Sequence, residues 1–355
     1  MKVLQLIDSL HPGGAERIAI SLANGLAETK SVSHLCITRE EGLLKETISP
    51  KVSYFFLEKK RTLDLPAFNR LRNYIKKHEI EILHAHSSSF FLATWIKLRI
   101  PGLKLIWHDH YGQSESMDQR STKILKLCSR KFHAIISVNR ILQQWAKSNL
   151  HCANVVYLKN FIDAHVPVIP STGLKGKKGH RLVCLANFRP QKDHITLLDA
   201  FRKLVVKYPD WSLHLIGKKV NQSYTEQIEK KIEIDNIPEV YIYGEQLAVL
   251  ELLSQADIGV LSSRSEGLPV ALLEYGLAGL PVVTTKVGQC EEVVGEYGIT
   301  VPPASPGELS KALAILIKDS NLRKSKADAY SAYIKNEYTF ESIKNDLLKI
   351  YRSNA

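Results

Sequence analysis

Residues 256–285 constrain the fold more than any other stretch. Ala256-Asp257 leads into the apolar run Ile258-Gly259-Val260-Leu261, which has the length and character of a buried strand. A polar turn, Ser263-Arg264-Ser265-Glu266, follows it. Gly267-Leu268-Pro269 then opens an apolar helical segment that runs to Gly279, and Pro281-Val282-Val283-Thr284-Thr285 reads as a second strand. Strand, polar turn, helix, strand is a βαβ unit, and such a unit implies a parallel sheet. Open parallel sheets take ligands at the carboxyl ends of their strands. Glu266 therefore falls in the working turn, and Glu274 about two turns into the helix. Pro269 suits a first helical turn. The N–H groups of Gly267 and Leu268 at that helix start are suited to an anion.

The same alternation runs through the rest of the chain. Strands are expected at residues 2–7, 32–38, 52–57, 80–84, 103–107, 134–138 and 155–158, with a helix over 66–78 among the helical segments. Residues 166–179, rich in Pro, Gly and Lys, read as a domain linker or an exposed loop. The pattern then restarts with strands at 180–186, 211–216 and 240–243 and helices at 195–208, 224–235 and 247–255. Helices at 306–318, 322–337 and 340–351 close it. Repeated βα units imply doubly wound parallel sheets. The length of 355 residues suits about two domains.

Polar residues gather where the strands end. After the first strand, His11-Pro12-Gly13-Gly14 precedes a helix. The double glycine serves either a tight turn or a close approach by phosphate or sugar, and it does not meet the dinucleotide fingerprint. The strand at 180–186 runs into Asn187-Phe188-Arg189-Pro190-Gln191-Lys192-Asp193. Arg189 and Lys192 there are either exposed loop cations or the grip for a diphosphate, and Asp193 or Thr196 is positioned to cap the helix that follows. Two strand ends carry paired histidines, His84-Ala85-His86 and His108-Asp109-His110, the latter followed by Tyr111-Gly112 in an expected loop. Neither pair has a third ligand at suitable spacing, so a metal is not expected. The readings left are a satisfied structural histidine or a hydrogen-bond partner for a hydroxylated substrate.

Charge narrows the partners. The formal net charge is +12, which suits anionic ligands, phosphate-bearing substrates or an anionic membrane face. No nucleic-acid motif accompanies it. Residues 120–131 place Ile124, Leu125 and Leu127 beside Lys123, Lys126, Arg130 and Lys131, which reads as a basic amphipathic helix or an ordinary surface helix. The apolar runs are too short to span a membrane and the first strand is not a signal peptide. Five scattered cysteines without metal spacing point to reduced thiols in a cytoplasmic protein, possible membrane attachment being peripheral.

Glu266, within Ser265-Glu266-Gly267-Leu268-Pro269, and Glu274, eight residues further on, carry a resemblance. With Ala256-Asp257-Ile258, Gly279-Leu280-Pro281-Val282-Val283 and Val287-Gly288 around them, the chain resembles the retaining glycosyltransferases of family 4, the group 1 class of the GT-B fold. The resemblance implies two Rossmann-like doubly wound domains facing a central cleft. Residues 1–165 would bind acceptor, with the helix at about 340–355 packing back on them, and residues 166–339 would bind a nucleotide-diphosphate sugar, UDP being favoured over GDP. It implies Glu274 on the ribose, Glu266 on the transferred sugar, and Arg189, Lys192, Gly267 and Leu268 on the diphosphate. Gly14 would close over the phosphates and His108 would contact the sugar, so that Glu266, His108, Arg189 and Lys192 form the catalytic set. His11, His110 and Tyr111 are the acceptor candidates. No cofactor and no metal is implied. Asn160 and Asp163 match a family hinge element in which Phe161 replaces Gly. Gln289 and the pair Tyr275-Gly276 also depart from the family pattern and are expected to reshape the sugar pocket. The implied activity is retaining transfer of a hexose to a glycan or lipid-linked hydroxyl in cell-surface polysaccharide synthesis. An epimerase or a non-catalytic nucleotide-sugar-binding protein of the same fold is the alternative.

Overall fold

The computed structural model of the chain describes residues 1–111, 120, 122–162 and 173–353. Its elements alternate as the sequence pattern requires. They run β1 (Lys2–Ser9), α1 (Gly14–Ala27), β2 (Val32–Glu40), β3 (Ser53–Phe56), α2 (Leu65–Lys77), β4 (Ile82–His86), α3 (Phe90–Arg99), β5 (Lys104–Asp109), α4 (Lys123–Ser129), β6 (Ala134–Ser137), α5 (Arg140–Asn149) and β7 (Val155–Tyr157). The second array is β8 (Arg181–Leu185), α6 (His194–Val205), β9 (Ser212–Ile216), α7 (Gln222–Ile234), β10 (Val240–Gly244), α8 (Val249–Leu253), β11 (Ile258–Leu261), α9 (Val270–Leu277), β12 (Val282–Thr285), α10 (Cys290–Val294) and β13 (Ile299–Val301). Helices α11 (Pro306–Lys318), α12 (Ser320–Glu337) and α13 (Phe340–Arg352) follow.

The chain divides into two compact units, Met1–Val166 with Thr339–Ala355, and Pro167–Tyr338. The first holds a seven-stranded parallel sheet in the order β3-β2-β1-β4-β5-β6-β7. Its strand order reverses between β1 and β4. Apolar layers cover both faces. One is built on Leu83, Leu105 and Trp107 with α2 and α3, the other on Val3, Ile82, Ile106 and Ile136 with α1 and α13. Thus the C-terminal helix completes the first unit: Phe340, Ile343, Leu347 and Tyr351 are buried in that second layer.

The second unit holds a six-stranded parallel sheet, β10-β9-β8-β11-β12-β13, which reverses between β8 and β11. Such a reversal leaves a crevice at the carboxyl ends of the two central strands, because their onward connections leave on opposite faces. The β8–β11 ladder is short, pairing Ile258 with Leu182 and Gly259 with Val183. Beyond it the Tyr275 hydroxyl bridges the diverging strands. It accepts from Leu185 N at 2.7 Å and donates to Val260 O at 3.0 Å. The ring fits because Gly259 has no Cβ, which would come within 2.7 Å of it. Gly276 packs as closely against Ile334 and Tyr330 of α12. The pair Tyr275-Gly276 is therefore core packing, which corrects the expectation that it reshapes a sugar pocket.

Two further readings change. The strands carrying the histidines run longer than expected, because the β4–β5 ladder continues to the pair His86–His108. His108 is thus a ladder residue and not a loop residue. Of the expected linker, residues 173–179 are fastened to the second unit. Leu174 N donates to Gln255 Oε1, Lys175 N to Tyr243 Oη, and the Arg181 guanidinium to the carbonyls of Lys175 and Gly176. Residues 166–172, Gly112 and Asp163 lie outside the described residues.

Candidate functional site

In the second unit the crevice between β8 and β11 is built by two loops. The loop after β8 carries Arg189 to Asp193, and the loop after β11 carries Ser262 to Pro269. Backbone bonds bind them together. Arg264 N donates to Gln191 O at 2.7 Å, and Ser262 Oγ reaches the carbonyls of Lys192 and Asp193 at 3.0 and 3.1 Å. Asp193 takes the left-handed conformation (φ 47°, ψ 50°), caps α6 by accepting from Thr196 N, and receives Arg264 Nε at 2.7 Å. That cap confirms the helix start read from the sequence.

Glu266 is buried, at 7% exposure. Lys192 Nζ donates to its Oε1 at 2.5 Å, and Ser263 Oγ donates to the same oxygen at 2.5 Å. Among the described residues Oε2 accepts no hydrogen bond. Thr285 Oγ1 holds Ser263 in turn through its carbonyl, at 2.6 Å. Two donors on one oxygen of a buried carboxylate satisfy its charge and hold its orientation. Lys192 thereby faces the crevice rather than bulk solvent. Arg189 is exposed and, among the described residues, makes no such contact.

The helix start differs by one turn position from the expectation. Pro269 is extended (φ −75°, ψ 112°) and caps α9, which begins at Val270. Gly267 and Leu268 precede the helix, and the Gly267 carbonyl accepts from Gln289 N at 3.0 Å. Glu274 lies within α9 and is 3% exposed. The two glutamates therefore share one loop–helix unit, one in the turn and one in the helix.

Sequence reasoning gave no site role to Ser263, Arg264, Thr285 or, above all, Gly288. Gly288 has φ +51°, and a Cβ there would stand 2.0 Å from the Glu266 carbonyl oxygen. One signal was available: Ser263 and Glu266 have the Ser-x-x-Glu spacing of a mutually bonded turn. Gly288 entered the sequence reading only as part of Val287-Gly288 in the family pattern, without a role, and Thr285 carried no local signal, since their contacts are tertiary.

In the first unit the expected residues fall around the carboxyl ends of β1, β4 and β5. Gly14 opens α1 and is exposed, with Gly13 extended at the cap. His11 Nε2 lies 3.2 Å from Glu40 Oε2 at the surface. Tyr111 N donates to Asp109 Oδ1 at 3.2 Å, and the Arg120 guanidinium grips Asp109 with two bonds of 2.7 Å. The four histidines come together. His84 and His86 alternate on β4, His86 is opposite His108, and His110 follows on the same side. Ring centroids lie 4.6 Å apart for His84–His86, 5.3 Å for His86–His108 and 4.1 Å for His108–His110. His84, His86 and His108 are at most 1% exposed. Burial, aided by the neighbouring imidazoles, pushes His84 down to about 3 and His86 and His108 well below their ordinary value, and burial alone pushes His110 to about 3. The third histidine that the spacing could not supply is thus brought in by strand pairing.

Two doubly wound parallel-sheet units are the architecture of the GT-B class of glycosyltransferases. The chain belongs to the group 1, family 4 glycosyltransferases. Residues 169–333 match the family model "Glycosyl transferases group 1" and residues 12–166 match "Glycosyltransferase Family 4". It is 22% identical over 341 residues to an uncharacterized glycosyltransferase of Haemophilus influenzae, covering 93% of this chain and 94% of the relative. It is 23% identical over 285 residues to the Escherichia coli UDP-Gal:alpha-D-GlcNAc-diphosphoundecaprenol alpha-1,3-galactosyltransferase, covering 71% and 70%. Among solved structures, Anabaena HepE in complex with UDP and glucose superposes with a TM-score of 0.80 at 18% identity, both chains fully covered. Staphylococcus aureus TarM in complex with UDP superposes with a TM-score of 0.79 at 12% identity, covering 99% and 100%.

Proposed function

We propose that the crevice between β8 and β11 binds a nucleotide-diphosphate sugar and that the chain transfers its hexose, with retention, to a hydroxyl of a glycan or lipid-linked acceptor. The observation that carries this reading is the bond between Lys192 and the buried Glu266 at the switch point of the second sheet. Cleaving the sugar–phosphate bond builds negative charge on the diphosphate and positive charge at the anomeric carbon. Lys192 would turn to the diphosphate, with the exposed Arg189 and the backbone around Gly267 and Leu268 beside it, while Glu266 would face the sugar. Prepositioned charges of this kind lower the barrier without reorganisation during the reaction. Glu274 would accept from the ribose hydroxyls. The departing phosphate would take the acceptor proton on the face it leaves, which yields retention without a protein nucleophile. On this reading the leaving-group cations replace a divalent metal.

UDP is the proposed nucleotide. The Escherichia coli relative is described as using UDP-Gal, and HepE and TarM hold UDP in their structures. In the first unit His11, His110 and Tyr111 are the proposed acceptor contacts, and Gly14 remains a proposed phosphate contact. His108 is left out of this proposal, its ring lying within the histidine cluster of β4 and β5. No described helix is long and apolar enough to cross a membrane. α4 nevertheless exposes Ile124 at 57% and Leu127 at 65% beside Lys123 and Lys126, which favours peripheral contact with an anionic bilayer. A role in cell-surface polysaccharide synthesis is proposed with it.

The test is incubation with UDP-, GDP- and ADP-sugars, following nucleoside diphosphate release with and without acceptor. Acceptor-stimulated UDP release is expected. No release from any donor would overturn the proposal, and an inverted anomeric product would overturn the retention.

A further inference from the structure

We propose that the buried histidines at the carboxyl ends of β4 and β5 form a zinc-type metal site in the first unit, with His84, His86 and His108 as ligands. Each of the three offers one ring nitrogen, and these nitrogens lie within 4.8 Å of one another. They come from two paired strands, so the ladder itself holds them on one face of the sheet.

The unsatisfied atoms point the same way. His84 Nε2 and both ring nitrogens of His108 are buried without a hydrogen-bond partner. Buried polar nitrogens without partners are rare in folded proteins, and each calls for an explanation. One cation would account for two of them, His84 Nε2 and whichever single His108 nitrogen faces the cluster, since an imidazole gives one ligand atom to one ion.

The surrounding shell orients the rings as ligating histidines require. His86 Nε2 is 2.8 Å from Gln5 Oε1, an atom that only accepts, so the proton is on Nε2 and the Nδ1 lone pair is left available. His84 Nδ1 is 2.8 Å from the Tyr351 hydroxyl, which also receives Gln5 Nε2 at 3.3 Å, and this leaves Nε2 as the ligating atom. His86 Nδ1 is 3.0 Å from His110 Nε2. An ion at His86 would replace that hydrogen bond; tetrahedral ligands with bonds of about 2.0–2.1 Å stand roughly 3.3 Å apart, and the ligand nitrogens of His84, His86 and His108 already lie within 4.8 Å of one another. Asp109 does not enter the set, being held by Arg120.

The donor set is all imidazole, which suits zinc, copper or nickel over calcium or magnesium. Its position assigns the ion a structural role. It would tie β4 to β5 and, through Tyr351, hold α13 on the sheet. It lies in the first unit and takes no part in the sugar–phosphate chemistry proposed for the second.

The experiment is titration of the chelator-treated full-length protein with Co²⁺, reading the visible d–d absorption, followed by displacement with Zn²⁺. One equivalent of Co²⁺ with a tetrahedral spectrum is expected, abolished in His84→Gln/His86→Gln and kept in His34→Gln, a buried histidine of the same unit outside the cluster. Tyr351→Phe leaves every ligand in place and should weaken binding about 10–100-fold, as loss of an outer-shell partner does. Should the double variant fail to fold, the wild-type stoichiometry and the Tyr351→Phe shift still decide the matter. Absence of a saturable tetrahedral spectrum in the wild type would overturn the site, as would equal binding by the folded double variant.

Discussion

Gly288 and Glu266 are in backbone contact: a single methyl group added at Gly288 would stand 2.0 Å from the Glu266 carbonyl oxygen. The loop after β12 therefore sets the position of the loop after β11. Gly288 also has a positive φ, which a side chain disfavours. Gly288→Ala is expected to cost about 1–3 kcal/mol of stability and to reduce kcat far more than stability alone explains, because Glu266 and its partners Lys192 and Ser263 are displaced. A variant that keeps wild-type kcat would show that Glu266 needs no such placement.

The two glutamates should separate kinetically. Glu266→Ala and Lys192→Ala are expected to lower kcat about 10²–10³-fold, the usual effect of removing one charge-stabilising group. Glu274→Ala should instead raise the donor KM by roughly ten- to a hundredfold with kcat largely kept, since a hydrogen bond to a charged group contributes about 1.5–3 kcal/mol. Steady-state kinetics with a saturating acceptor distinguish them. A pure KM effect in Glu266→Ala would reverse the assignment.

His194, at the start of α6, is buried against Phe188, with ring centroids 4.7 Å apart. Burial pushes it down to about 4 from an ordinary 6.5. Above pH 6.5 it is neutral whether the chain is folded or not. Between 6.5 and 4 the unfolded chain takes up a proton that the folded chain refuses, so stability falls as pH falls, by up to about 1.4 kcal/mol per pH unit from this residue. His194→Phe keeps the stacking and removes the titration. Calorimetry at pH 7 and 5 should show a smaller loss of Tm in the variant, and an equal loss would exclude His194 as a contributor.

Gly25 of α1 faces Phe340 of α13, whose ring atoms lie 2.4–2.7 Å from where a Cβ would be. Gly25→Val should push α13 from the first sheet at a cost of about 1–3 kcal/mol. Hydrogen exchange should then speed up across residues 340–352 before the rest of the unit. Unchanged protection there would mean that the contact can be given up cheaply.

Ile124→Ser/Leu127→Ser should reduce flotation with liposomes containing anionic lipid, and wild-type flotation should weaken with salt. Binding indifferent to lipid charge, to salt and to both substitutions would remove the bilayer from the proposal.

The sequence by itself determined the alternating βα order, the approximate extent of most elements and the unit that carries Glu266 and Glu274, because periodicity, apolar runs and turn residues act over a few positions. It also placed Arg189 and Lys192 in a strand-to-helix loop. Only the tertiary structure distinguishes their surroundings: Lys192 turns onto Glu266 while Arg189 stays exposed. Tyr275 reads as an ordinary helix residue, yet it bridges two strands because Gly259 leaves room beneath it. Two unremarkable His-x-His pairs become one stacked cluster because β4 and β5 pair with His86 opposite His108. Tyr351, some 267 residues beyond His84, reaches it because the last helix returns to the first sheet. Local pattern specifies which elements form. Register and packing between distant elements specify which side chains meet, and those depend on the closed core as a whole.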